Sequence, residues 1–162
     1  MSKGLVFAGL VVVAAGLAGA PQRSEAQTES ARTYCARVSD DDQLRPLRSE
    51  FVADARRLFE IGLDLPTEFV ATSMFMRCMN GKVWLCYVGA NLACGKADVS
   101  RNSAGADAFC KRNPDSTGVP MSATGHATLF SWKCVGSQAK LDQQIERTDP
   151  RGFLADNWKV LR

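Results

Sequence analysis

The spacing of apolar and polar residues predicts one helix ahead of a series of short strands. Between residues 47 and 63 the apolar positions recur at three- and four-residue intervals, the period of a helix with one buried face. Ser49 is the expected N-terminal cap, and Leu65-Pro66 ends the segment. This amphipathic helix is predicted to pack on a sheet. Its apolar positions are Leu47, Phe51, Val52, Ala55, Leu58, Phe59 and Leu63.

A β-hairpin is the clearest local prediction, with two alternating strands over residues 74–88 joined by Asn80-Gly81. Asn-Gly supplies the two positive φ angles that a type I′ turn requires. In that register Cys78 faces Val83 across the hairpin. Successive side chains of a strand point to opposite faces, so Cys78 and Cys86 are predicted to lie on opposite faces and not to bond to each other.

Weaker patterns predict the remaining elements. They are a short helix over 103–111, a strand ending at Cys134, a polar strand over 140–147, a turn at 149–152, and a last strand or short helix over 153–161. Thr128, Phe130, Trp132 and Cys134 are expected on the core face of their strand. The sequence therefore predicts an α+β fold, with an N-terminal amphipathic helix packed on a small antiparallel β-sheet.

The N-terminus has the features of an export signal. Lys3 precedes an uncharged apolar run over residues 4–20, and Ser24-Glu25-Ala26 offers cleavage before Gln27. An uncleaved membrane anchor is the alternative, because the run approaches the shortest length that spans a bilayer. We expect a signal peptide at 1–26, an extended arm at 27–46 and a single domain at 47–162. The mature protein is expected in the periplasm or outside the cell.

Export changes the interpretation of the cysteines. An even number of them in an oxidising compartment predicts three structural disulfides. Pairing is not determined by the pattern, and our first assignment is Cys94–Cys110, Cys78–Cys134 and Cys35–Cys86. The six cysteines are Cys35, Cys78, Cys86, Cys94, Cys110 and Cys134.

Composition excludes several classes of function. With 20 basic and 17 acidic residues the formal charge is only +3, too weak a field to predict nucleic-acid binding. His126 is the single histidine, which excludes two-histidine zinc sites and CxxCH haem attachment. No cofactor, metal site or catalytic group is predicted.

Glycine-supported polar loops are the best candidates for a binding face, because function is commonly displayed on such loops. The stretch from Asn91 to Asn102 and the pair Gly125-His126 form the predicted face. A protein or a glycan of the cell envelope is the expected partner, with no membrane contact after signal cleavage. The alternative class is a hydrolase of cell-wall or extracellular polymer that uses His126 or a carboxylate pair. The candidate binding residues are Asn91, Lys96, Asp98, Arg101 and His126.

Two resemblances add to these predictions. The segment from Arg77 to Asp98, with Gly125-His126, Trp132-Lys-Cys134 and Asp149-Pro-Arg-Gly-Phe153, resembles a group of uncharacterised small exported proteins of alphaproteobacteria. This likeness implies export and a disulfide-bonded scaffold, and it brings no catalytic residues.

A second likeness is to the periplasmic inhibitors of C-type lysozyme. It lies in Arg77-Cys-Met-Asn-Gly-Lys82, in Trp132-Lys-Cys-Val-Gly136 and in Leu141. That family forms a small antiparallel β-barrel and inserts a Ser-Gly loop into the lysozyme cleft. Ser122-Ala-Thr-Gly125 stands where the resemblance implies that loop.

Overall fold

The computed structural model describes residues 29–88 and 92–162. The predicted signal peptide and Asn91 lie outside the described residues. Helices α1 to α5 span Ala31–Val38, Val52–Phe59, Thr67–Thr72, Ala104–Arg112 and Met121–Thr124. Strands β1 to β6 span Asp41–Pro46, Met74–Met79, Lys82–Tyr87, Phe130–Val135, Gln138–Gln144 and Trp158–Val160.

The strands form two antiparallel groups. Strands β1, β2, β3 and β6 make a four-stranded sheet in that order, and β4 and β5 form a separate two-stranded hairpin. The α+β class and the small antiparallel sheet are confirmed. The alternating segment that ends at Cys134 pairs only with the polar strand after it, so it does not extend the first sheet.

The predicted hairpin is confirmed residue for residue. Cys78 pairs with Val83, Phe75 pairs with Cys86, and Met79 pairs with Lys82. The turn residues Asn80 and Gly81 have φ angles of 54° and 69°, the left-handed values that a type I′ turn needs. The Asn-Gly turn therefore determines which residues of β2 and β3 pair with each other.

The segment predicted as an extended arm contains helix α1. Ser30 caps this helix, because its side-chain oxygen accepts a hydrogen bond from the backbone N–H of Thr33 at 3.1 Å. Ala31 and Cys35, four residues apart on one face, are both buried. Burial of that narrow face favours the helix, although Arg32, Thr33 and Arg37 on its other faces are polar.

The amphipathic segment over 47–63 is helical over a shorter range than its pattern predicts. A 3₁₀ turn at Ser49–Phe51 leads into α2, and no side-chain hydrogen bond caps either one. Glu60 ends α2 in a left-handed conformation with φ of 55°. Leu63 beyond it is 89% exposed, so the last apolar position of the pattern is not part of the buried face.

The core has three clusters of buried side chains. The largest packs α1, α2 and α3 against one face of β2 and β3, and includes Ala55, Val70 and Leu85. A second lies under the β4–β5 hairpin around Trp132. The third occupies the other face of the four-stranded sheet, around Cys86, Cys94, Phe153 and Trp158.

All six cysteines are paired, and the pairing differs from our assignment. The three disulfides are Cys35–Cys78, Cys86–Cys94 and Cys110–Cys134, so each of the three expected pairs is wrong. Cys78 and Cys86 do bond outside the hairpin, as the strand alternation predicts. Their partners could not be read from sequence, because Cys35 approaches Cys78 through the unexpected helix α1. Three disulfides are consistent with an exported protein.

Candidate functional site

The predicted binding face is a pair of loops held against the sheet. Cys94 is bonded to Cys86 of β3, and the carbonyl of Ala93 accepts a hydrogen bond from the Asn157 side chain at 2.9 Å. Further along, the N–H of Ala97 donates to the carbonyl of Gly152 at 2.9 Å. We call residues 92–102 together with Gly125-His126 the loop face.

Asp98 joins the two halves of the loop face. Its backbone N–H donates to Ala127 at 2.7 Å, and its carbonyl accepts from Leu129 at 3.1 Å, which makes a short parallel bridge beside Thr128. The side chain of Asp98 accepts from the N–H of Ser100 at 2.8 Å and so holds its own loop. The two predicted segments are therefore neighbours in the fold.

Apolar and polar side chains of the loop face are exposed to solvent. Leu92 and Val99 are 46% and 62% exposed, and Arg101 and His126 are also exposed. The Arg101 guanidinium lies 5.3 Å from the ring centroid of Phe130, which orients it without burying its charge. The loop face therefore presents apolar, cationic and imidazole side chains together.

Lys96 is engaged by the protein itself. Its ammonium lies 2.6 Å from Asp42 of β1, contacts the carbonyl of Arg151, and sits 4.3 Å from the ring centroid of Phe153. Arg151 also donates to Asp42, at 3.0 Å. This cluster attaches the loop face to β1 and to the turn at 149–152.

The pKa values of the cluster reflect these contacts. Partial burial alone would raise the pKa of Asp42, but the hydrogen bonds from Arg151 and Lys96 outweigh it, and the pKa lies below its ordinary value. The hydrogen bond to Asp42 raises the pKa of Arg151. Asp42 thus stays ionised at neutral pH, between the side chains of Arg151 and Lys96.

Beneath the loop face lies a buried ion pair. Arg77 of β2 is fully buried and bonds to Asp149, whose side chain is 7% exposed. The guanidinium packs against both Phe153 and Trp158, with centroid distances of 4.1 and 4.5 Å. Burial lowers the pKa of Arg77 from its usual value, although an arginine remains protonated in proteins.

The structure brings the two predicted segments together, supported by residues that sequence reasoning missed. Asp98 lies at the bridge between them and Arg101 and His126 are exposed, whereas Lys96 contacts Asp42 and Arg151. Asp42 and Arg151 were missed because they come from distant parts of the chain. Nothing in the sequence pairs them, although Asp149-Pro-Arg-Gly152 is a recognisable turn.

The tight approach of α4 and α5 sets where Gly125-His126 lies. A Cβ added to Gly105 of α4 would lie 1.8 Å from the carbonyl oxygen of Ala123 in α5. The lysozyme-inhibitor resemblance implies that Ser122-Ala-Thr-Gly125 is an inserting loop. Most of this segment is helical here, since α5 ends at Thr124. Gly125 then follows with φ of 89°.

Within the described part of the chain, no three histidine, cysteine, aspartate or glutamate side chains are placed to hold a metal ion. The same residues contain no helix long and apolar enough to cross a membrane.

Two clefts are well defined among the described residues, and His126 lines neither of these two. One lies between α1 and the sheet, and the other is a polar groove beside Asp107 and Lys140.

Comparisons with protein-family models, curated proteins and solved structures found no match to this chain. Function must therefore be argued from its own residues.

Proposed function

We propose that the protein is a non-enzymatic binding protein of the cell envelope whose loop face contacts a partner protein. The observation that carries this proposal is the bridge at Asp98, which places Val99 and His126 on adjacent backbone segments with a disulfide and ion pairs behind them. A rigid base lowers the entropy lost when exposed side chains bind a partner. The exposed Arg101 suits a protein surface, because arginine is enriched among the residues that carry most of the binding energy of interfaces.

A protein partner fits this face better than a glycan. Sugar rings commonly stack on exposed aromatic side chains, and tryptophan offers the largest ring for that contact. Trp132 and Trp158 are 4% and 3% exposed, and Trp84 is half-buried with its indole N–H donating to the carbonyl of Met79. These tryptophans therefore serve packing.

The hydrolase alternative has less support. A histidine acting as general base needs a substrate cleft and an orienting partner. His126 is exposed and lines neither of the two clefts described above. If hydrolysis of any envelope polymer is detected, His126→Ala should leave its rate unchanged under this proposal.

The test is capture by the immobilised, oxidised protein from periplasmic extract, purified C-type lysozyme and peptidoglycan. We expect retention of a protein, and we expect Val99→Asp to abolish it. Val135→Asp is the matched control, because Val135 is 55% exposed and lies at the end of β4. Retention from none of the three sources, or equal loss in both variants, would contradict the proposal. Retention of peptidoglycan alone would replace the protein partner with a glycan.

The proposal also specifies the compartment in which the protein resides. Residues 1–26 act as a signal peptide cleaved before Gln27, and the protein resides in the periplasm or outside the cell. N-terminal sequencing of the exported protein tests this directly. A chain that still begins at Met1 and sediments with membranes would support the anchor instead.

A further inference from the structure

The cleft between α1 and the four-stranded sheet has the size of a small-molecule site. Its volume is about 360 Å³, inside the range of roughly 300–1,000 Å³ common for ligand pockets. Its walls are apolar and come from α1, β2 and β3. They include Ala31, Met76, Val83 and the Cys35–Cys78 disulfide.

Three arginines line this cleft. Arg77 is paired with Asp149, and the other two, Arg45 and Arg48, differ in how they are engaged. Arg45 is 2.5 Å from Asp41 and donates to the Tyr34 hydroxyl at 2.9 Å. Arg48 donates one hydrogen bond, from Nη1 to the carbonyl of Glu29 at 2.8 Å. Its nearest carboxylate, Glu50, lies 3.7 Å from Nε, beyond hydrogen-bond distance.

Arg48 therefore has spare binding capacity. A guanidinium carries five N–H donors, and within residues 29–88 and 92–162 only one hydrogen bond from Arg48 is formed. The carboxylate of Glu29, which also lines the cleft, is held by Arg37 through bonds of 2.8 and 3.2 Å. It does not compete for Arg48.

We propose that this cleft binds a small amphipathic organic acid. The carboxylate lies against the free edge of the Arg48 guanidinium, whose fork matches the two oxygens of a carboxylate. The apolar body packs on Met76, Val83 and the disulfide, where its burial removes apolar surface from water. The site shares no residue with the loop face, so its test is independent of the test of the proposed protein contact.

The experiment is an NMR titration of the oxidised protein with decanoate, using protein expressed with its own N-terminal segment and purified after export. We expect saturable binding of one molecule, with chemical-shift changes at the methyl groups of Met76 and Val83. Decanol, which has the same apolar length and no charge, should bind at least tenfold more weakly. Acetate, which has the charge and no apolar body, should not bind.

Arg48→Gln should weaken decanoate binding by about tenfold or more, the effect expected for loss of a hydrogen bond to a charged group. Arg57→Gln is the matched control, because Arg57 pairs with Asp54 on α2 and does not line the cleft. Arg48→Lys should retain more affinity than Arg48→Gln. Equal thermal unfolding of the three variants shows that the fold is intact.

Several results would overturn the proposal. They are absence of saturable decanoate binding, shifts confined to residues outside the cleft, equal affinity for decanol and decanoate, or affinity that Arg48→Gln leaves unchanged.

Discussion

At the scale of single residues, Arg77 is the one charged residue that is buried among those the structure describes. Its guanidinium packs against Phe153 and Trp158, and its Nε has no acceptor among the described residues. An ionised group in such surroundings is stable only when it is paired, because the cost of removing it from water is several kcal/mol. Asp149 supplies that pairing and, through Oδ1, also accepts the N–H groups of Arg151 and Phe153.

Removing the charge of Asp149 should therefore be costly. Asp149→Asn keeps an oxygen for the turn hydrogen bonds but leaves Arg77 as a buried, uncompensated cation. We expect a loss of about 3–5 kcal/mol in the free energy of unfolding, measured by urea denaturation. Asp156→Asn is the control, since the Arg147–Asp156 pair is exposed and should contribute at most about 1 kcal/mol. Equal effects of the two substitutions would show that the buried pair does not stabilise the fold.

At the scale of elements, the contact between α4 and α5 places one half of the loop face. Ser103 caps α4 by accepting from the N–H of Ala106 at 3.1 Å, and Gly105 in its first turn lets Ala123 approach. His126 follows α5 by two residues. Its position therefore depends on how closely these two helices pack.

Gly105→Ala should destabilise the protein, although alanine has a higher intrinsic helix propensity than glycine. Here the added Cβ would meet a backbone carbonyl at 1.8 Å, so α5 must move. We expect a loss of about 1–3 kcal/mol in the free energy of unfolding, with NMR shifts at His126. Gly118→Ala, with no atom within 4 Å of its Cβ, is the control and should be near neutral. A stabilised Gly105→Ala protein would contradict the packing.

Elements governed by local chemistry were predictable from sequence, and elements governed by distant contacts were not. Asn80-Gly81 set the hairpin register, because turn residues act within a few positions of the chain. Helix α1 was missed because its buried face gains its energy from β2 and β3. The loop face follows the same division. Its glycines and polar residues mark a displayed loop, but Asp42 and Arg151 reach Lys96 only through the fold.

At the scale of the whole molecule, the three disulfides divide between the two β groups. Cys35–Cys78 and Cys86–Cys94 attach α1 and the loop face to the central hairpin, whereas Cys110–Cys134 attaches α4 to β4. Each therefore joins an element of irregular or helical structure to a strand. The loop face lies where the two groups meet, at the bridge between Asp98 and Thr128.

The lengths of the segments that these disulfides close predict their contributions to stability. Cys35 and Cys78 are 43 residues apart and Cys86 and Cys94 only eight, and all four are buried to a similar degree. Since a longer closed segment restricts the unfolded chain more, replacing the first pair by alanine should cost about 4 kcal/mol and the second about 2.5 kcal/mol. Urea unfolding of the two double variants under non-reducing conditions gives the comparison. A larger loss for the Cys86/Cys94 variant would mean that anchoring of the loop face, and not restriction of the unfolded chain, dominates its contribution.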